Sequence, residues 1–182
     1  IAAGGKPARL LEVDEQATES RGFALPQKNG VLVGNAAESQ AHIFPRQTID
    51  IFWDQLNTEP IKQPGQYTPQ NNAEIAYTHL GLVWQQIQNH GDEIVMAVPS
   101  FYDREQLGLI LGITNELSMP LKGFIPQALV AASSQESSDR MLLHLDIHLH
   151  RIEVILVNQE ENFVIQDSIS AAGKGLSQLY RD

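Results

Sequence analysis

His144, Asp146, His148 and His150 follow one another at every second position. Side chains in a β-strand alternate between faces, so a strand through this stretch would turn all four to one side. His-x-His on a strand offers two imidazole nitrogens to a metal ion, and a carboxylate beside them can complete the set. The same spacing also fits a plain strand. Leu143, Leu145, Ile147 and Leu149 would then be its apolar face, and the histidines its polar, half-exposed one. Other candidate chemistry is thinner. Ser100 follows Pro99 at a predicted strand end, but no Gly-x-Ser-x-Gly elbow surrounds it, which argues against a serine hydrolase. Gly4-Gly5-Lys6 is too short for a phosphate loop and reads as a turn. Trp53 and Trp84 read as core or lobe-contact residues, and Glu160-Glu161 as a solvated turn.

Composition removes several function classes. The 182 residues contain no cysteine, so disulfides, thiolate metal sites and thiol catalysis are excluded. Twelve Lys and Arg stand against 22 Asp and Glu, for a net charge of -10 with the basic residues scattered. Such a surface repels a phosphate backbone, and no nucleic-acid partner is expected. No apolar run approaches the ~20 residues of a membrane-spanning helix, and no secretory core follows Ile1. The expectation is a cytoplasmic protein with no membrane partner.

The elements that would position these residues are legible as patterns. Ala8–Val13, Gly22–Leu25 and Val31–Val33 read as three short strands of an antiparallel meander, with a turn at Asn29-Gly30. Asn35 and Glu38 have capping-box spacing for a helix that must stop before Pro45. Residues 57–70, with three prolines, read as a long surface loop. Ala73–Asn89 carries a helical apolar stripe ending near Gly91. Glu93–Val98 reads as a strand, a helix starts near Asp103, Leu121–Phe124 is a strand, and Pro126 opens another helix. Three strands follow at Met141–Ile147, Arg151–Val157 and Phe163–Ile169. The order predicts an α/β chain with a mixed sheet flanked by helices. In it, the first meander pairs with Glu93–Val98. Val95, Ala97, Leu109, Ile113, Leu145, Ile147, Val154 and Ile155 are the expected core.

Four stretches in order carry a family resemblance. They are Val31-Leu32-Val33-Gly34-Asn35-Ala36-Ala37 with Pro45 and Thr48, then Ile94 to Asp103 with Val98-Pro99-Ser100-Phe101, then Phe124 to Ala132, then Leu143 to Ile147. The chain resembles the ATPase domain of the seventy-kilodalton heat-shock chaperones, an actin-like, ribonuclease H-like fold. The resemblance implies a first lobe over residues 1–138 and the beginning of a second over 139–182, with the rest of that lobe and an Asp-x-Gly hairpin outside this sequence.

The resemblance also implies where a nucleotide would sit. The family's second glycine-rich hairpin corresponds to Asp146–Glu153, which makes Asp146, His148, His150, Arg151 and Glu153 the nucleotide- and metal-vicinity residues. Asp146 and Glu153 stand where the family has carboxylates, but His148, Leu149 and His150 replace its glycines, and Arg151 its threonine. Trp53 falls near its catalytic lysine, Ile125 near its glutamate, and Leu176-Ser177-Gln178 where further glycines belong. The expectation is a degenerate, non-catalytic binding or regulatory module with a protein partner. Its incomplete second lobe would favour self-association. No cofactor is required, and ATP with magnesium binds weakly at best. An active ATPase with its phosphate loops elsewhere, and a metal-binding protein using His144, Asp146, His148 and His150, are the alternatives.

Overall fold

The computed structural model describes residues 8–62, 69–135, 140–160 and 162–179. Gly4-Gly5-Lys6, the 138/139 lobe boundary and part of the 57–70 loop lie outside them. The described elements run β1 (Ala24–Gln27), β2 (Gly30–Val33), α1 (Asn35–Ala41), α2 (Asn72–Ile87), β3 (Ile94–Val98), α3 (Arg104–Glu116), β4 (Leu121–Pro126), α4 (Gln127–Ser133), β5 (Met141–Ile147), β6 (Arg151–Asn158), β7 (Val164–Ala172) and α5 (Leu176–Leu179). The chain is therefore α/β. It divides into two compact units, one of Ile1–Ile94 with Glu105–Pro120 and one of Val95–Arg104 with Leu121–Asp182. No helix among the described residues is long and apolar enough to cross a membrane.

The strands form three separate small sheets, β1-β2, β3-β4 and β5-β6-β7, and not the single mixed sheet expected. Ala8–Val13 is not a strand. Its apolar residues share no buried side, since Leu10 is 81% exposed. A tight turn with Glu15 and Gln16 at positive φ then bridges Asp14 to Ala17. What remains is a hairpin, not a meander, and β3 pairs with β4 instead of with it. Pro26 is tolerated within β1 because a two-stranded ribbon leaves an edge free of ladder bonds.

In the first unit, α1 packs on β1 and β2, and α2 packs on β2. Ala24, Leu25, Val33, Ala37, Phe52, Leu56, Ile75 and Ala76 are buried there. The Asn35–Glu38 capping box does not form. The N-cap of α1 is Gly34, and the Asn35 side chain instead accepts from Arg21 N and donates to Glu19 O. The cap comes from afar, because Asp14 Oδ2 accepts from Asn35 N at 2.7 Å. Helix α2 has the local cap that α1 lacks. Asn71 Oδ1 accepts from Glu74 N at 2.9 Å, and Glu74 Oε2 accepts from Gln70 N at 2.7 Å. Replacing Asn71 with Ala removes one of these bonds at an exposed helix start. The expected loss is about 1 kcal/mol in urea denaturation, with an unchanged m-value.

In the second unit, β5, β6 and β7 form an antiparallel meander close to the predicted boundaries. Its covered face is the unexpected one. Ile155 and Val157 pack with Ala128 and Ala132 of α4, joined by Leu129, Leu142 and Ile165. The register puts His144 opposite Ile155 and Asp146 opposite Glu153, so those polar residues share the covered face. The opposite face shows Leu143, Leu145, Ile147 and Ile169 at 68%, 57%, 47% and 71% exposure. The expected core is thus corrected. Ile113 and Ile155 are buried, Leu109 and Val154 are half-buried, and Val95, Ala97, Leu145 and Ile147 are exposed.

Candidate functional site

The β5–β6 hairpin gathers the polar cluster. β5 stops at Ile147, and His148 N donates to Arg151 O at 2.8 Å to close the turn. The period of two carries one residue past the end of β5, to His148, and fails at His150. His148 reaches back, so its Nε2 lies 3.4 Å from Asp146 Oδ2 and 3.4 Å from Glu153 Oε2. These three donor atoms all lie within 4.8 Å of one another, the one such group of three among the described residues. His144 stands at the edge, its Nε2 3.9 Å from Asp146 Oδ2. That nitrogen is buried and has no hydrogen-bond partner. The Glu153 side chain is 2% exposed, against 20% for Asp146 and 25% for His148.

Two residues named from the sequence face elsewhere. His150 turns to α5, with its Nδ1 3.2 Å from Ser177 Oγ. Arg151 lays its guanidinium over the Phe101 ring, 4.1 Å from the centroid, and donates to Ser170 Oγ at 2.9 Å. The Phe101 and His148 rings meet in a T-shaped contact, 5.8 Å between centroids and 86° between planes, beside the imidazole that both carboxylates share. So of the four alternating residues Asp146 and His148 meet, Glu153 joins them, His144 borders them, and His150 is excluded.

The tip of this hairpin is closed by the residues that follow β7. Leu176 N donates to His148 O at 3.0 Å, Ser177 N to Leu149 O at 2.8 Å, and Gly173 N to His150 O at 2.7 Å. Gly175 lies so close that a side chain there would collide with the backbone of His148, Leu149 and Arg151. A glycine is needed here for close approach of chain to chain.

A second polar cluster, in the first unit, has no local sequence signature. Asp14, Ser20 and His79 have the residue types of a nucleophilic triad, with Asp14 and His79 only 3% and 5% exposed. The wiring runs the other way. Trp53 Nε1 donates to His79 Nδ1 at 2.9 Å, so a neutral ring carries its proton on Nε2 and donates to Ser20 Oγ at 2.8 Å. Ser20 in turn donates to Asp14 Oδ2 at 2.6 Å. The serine proton points at the carboxylate and not at a base, so no nucleophile is activated. Burial pushes His79 down from 6.5 to about 4, only partly offset by the Asp14 charge. The network is structural: it ties the 14–17 turn to α1, α2 and Trp53. Gly34 is required beside it, because a side chain there would strike Asp14 and Ser20. Ser100 Oγ is buried without a hydrogen-bond partner.

No protein-family model matches the chain, and no curated protein matches it in sequence.

Proposed function

We propose that this chain is a non-catalytic binding module, a degenerate form of the chaperone-type actin-like ATPase domain, working in the cytoplasm. One observation carries the loss of catalysis. Where a phosphate-cradling hairpin would need glycines with free backbone amides, this hairpin has His148, Leu149 and His150. Its tip carbonyls are held by residues 173–177. Phosphate binding depends on amides that can approach closely, and Gly175 occupies that approach with backbone. The actin-like assignment rests on the four ordered stretches of resemblance and on the α/β element order. The three separate sheets depart from the single lobe sheet that the resemblance implies. The partner is a protein, taken up on the apolar face of the meander at Leu143, Leu145, Ile147 and Ile169. Exposed apolar patches of this kind mark contact surfaces, and a second copy of the chain is one such partner.

Hydrolysis of ATP needs transition-state charge stabilised and water held in line. The positions that the resemblance gives to a lysine and a glutamate hold Trp53 and Ile125. Purified protein is expected to release no phosphate above background with magnesium. Calorimetry should find ATP binding no tighter than about 1 mM, about -4 kcal/mol. Micromolar ATP binding that Asp146→Ala abolishes would refute this reading.

A further inference from the structure

We propose that Asp146, His148 and Glu153 form a binding site for a divalent transition metal ion of the zinc type. The hairpin geometry alone carries the inference; the chaperone resemblance has carboxylates at Asp146 and Glu153 but a glycine at the position of His148. Zinc bonds of about 2.0–2.2 Å to nitrogen and oxygen, at tetrahedral angles, hold donor atoms about 3.3–3.6 Å apart. Both contacts of His148 Nε2, to Asp146 Oδ2 and to Glu153 Oε2, are 3.4 Å. Two edges of such a tetrahedron are already in place.

The surroundings fit the same ligand. Glu153 comes from β6 directly across from Asp146 on β5, so the ladder register fixes the two carboxylates on one face. The Glu153 side chain is 2% exposed, and a cation beside a carboxylate buried to this degree offsets the cost of keeping it charged. Phe101 makes a T-shaped contact with the His148 ring. His144 Nε2, buried and without a hydrogen-bond partner, lies 3.9 Å from Asp146 Oδ2. It is placed to become a fourth ligand or to hold Asp146 in position. Imidazole with two carboxylates suits zinc, cobalt or nickel, whereas magnesium and calcium prefer all-oxygen shells.

The test uses the full chain after dialysis against a chelator, with no nucleotide present, so its outcome is separate from that of the ATP experiment. Zinc chloride titrated in a calorimeter should bind at one equivalent and raise Tm. Cobalt in its place should give visible absorption of tetrahedral intensity. His148→Asn and Glu153→Gln should each weaken zinc binding by about 100-fold or more, and His144→Ala by about 10–100-fold. His150→Ala should leave it unchanged. His148→Asn lies in a turn with a partly exposed side chain, so it reports on binding even if Glu153→Gln fails to fold. Absence of saturable zinc binding would overturn the proposal, as would binding unchanged in His148→Asn. Equally tight binding of magnesium would overturn the assignment to zinc-type ions.

Discussion

Ile155→Ala is expected to cost about 2–5 kcal/mol of folding stability, while Leu145→Ala, one strand away on the other face, costs less than about 1 kcal/mol. The two residues belong to the same hairpin and both look apolar and central in sequence. Ile155 is 1% exposed, packed with Val157, Ala128 and Ala132. The buried α4 residues of this cluster are the alanines Ala128 and Ala132, whose short side chains cannot extend into the space a truncation leaves. A cavity cost therefore falls on this site. Leu145 is 57% exposed, and shortening it leaves no cavity. Urea denaturation of both variants, compared at equal m-values, measures the difference. A larger loss for Leu145→Ala than for Ile155→Ala would mean that the meander packs on its leucine face instead. On the proposed contact face, Leu145→Lys should be tolerated for folding and should weaken partner or self-association.

That contrast marks what the sequence could and could not convey. The α/β class, the helix of Asn72–Ile87 and the three strands of the meander follow from local periodicity, and they stand where the pattern puts them. Alternation along β5 separates Leu143, Leu145 and Ile147 from His144 and Asp146, but it does not say which set is covered. The usual expectation is apolar inward. Here α4 lies on the histidine and aspartate side, because Ile155, Val157 and Leu142 lie on that side too. Their neighbours across the ladder settle the facing, and register is not a local property. The same holds for the candidate metal site. Asp146 and His148 were legible as a spacing. Glu153 joins them through the hairpin register, and His150 leaves because β5 ends at Ile147. The Asp14–Ser20–His79–Trp53 network was not legible at all. Its members are up to 65 residues apart in the chain, by the numbering of Asp14 and His79, and none carries a motif. Asn35 had the right residue type for a cap, yet Asp14 supplies it, since a buried carboxylate already held by Ser20 is positioned to accept from Asn35 N.

Acidification should destabilise the protein through His79 between pH 6.5 and about 4. Burial holds the folded-state value at about 4, against 6.5 for an unhindered histidine. Between those values the unfolded chain takes up a proton that the folded chain refuses. Stability from this group is complete above pH 6.5 and falls as pH drops. The loss levels off below the folded value of about 4. A gap of that size corresponds to about 3 kcal/mol. The physical cause is burial, which penalises the charged ring more than the Asp14 charge favours it, and the bond network agrees with a neutral ring. His79 Nδ1 accepts from Trp53 Nε1, so a second ring proton would have to displace that bond inside a site only 5% exposed. Glutamine at this position removes the titration while keeping an oxygen to accept and an amide to donate. His79→Gln should therefore cost about 1–2 kcal/mol at neutral pH yet lose less on going to pH 4.5 than the natural chain does. Subtracting the two pH profiles cancels the acid response of the carboxylates common to both. Denaturant titrations at pH 7 and pH 4.5, followed by tryptophan fluorescence, provide the four free energies. Parallel profiles for the two proteins would mean that His79 is not held neutral by burial, and that the acid sensitivity of the fold lies in other groups.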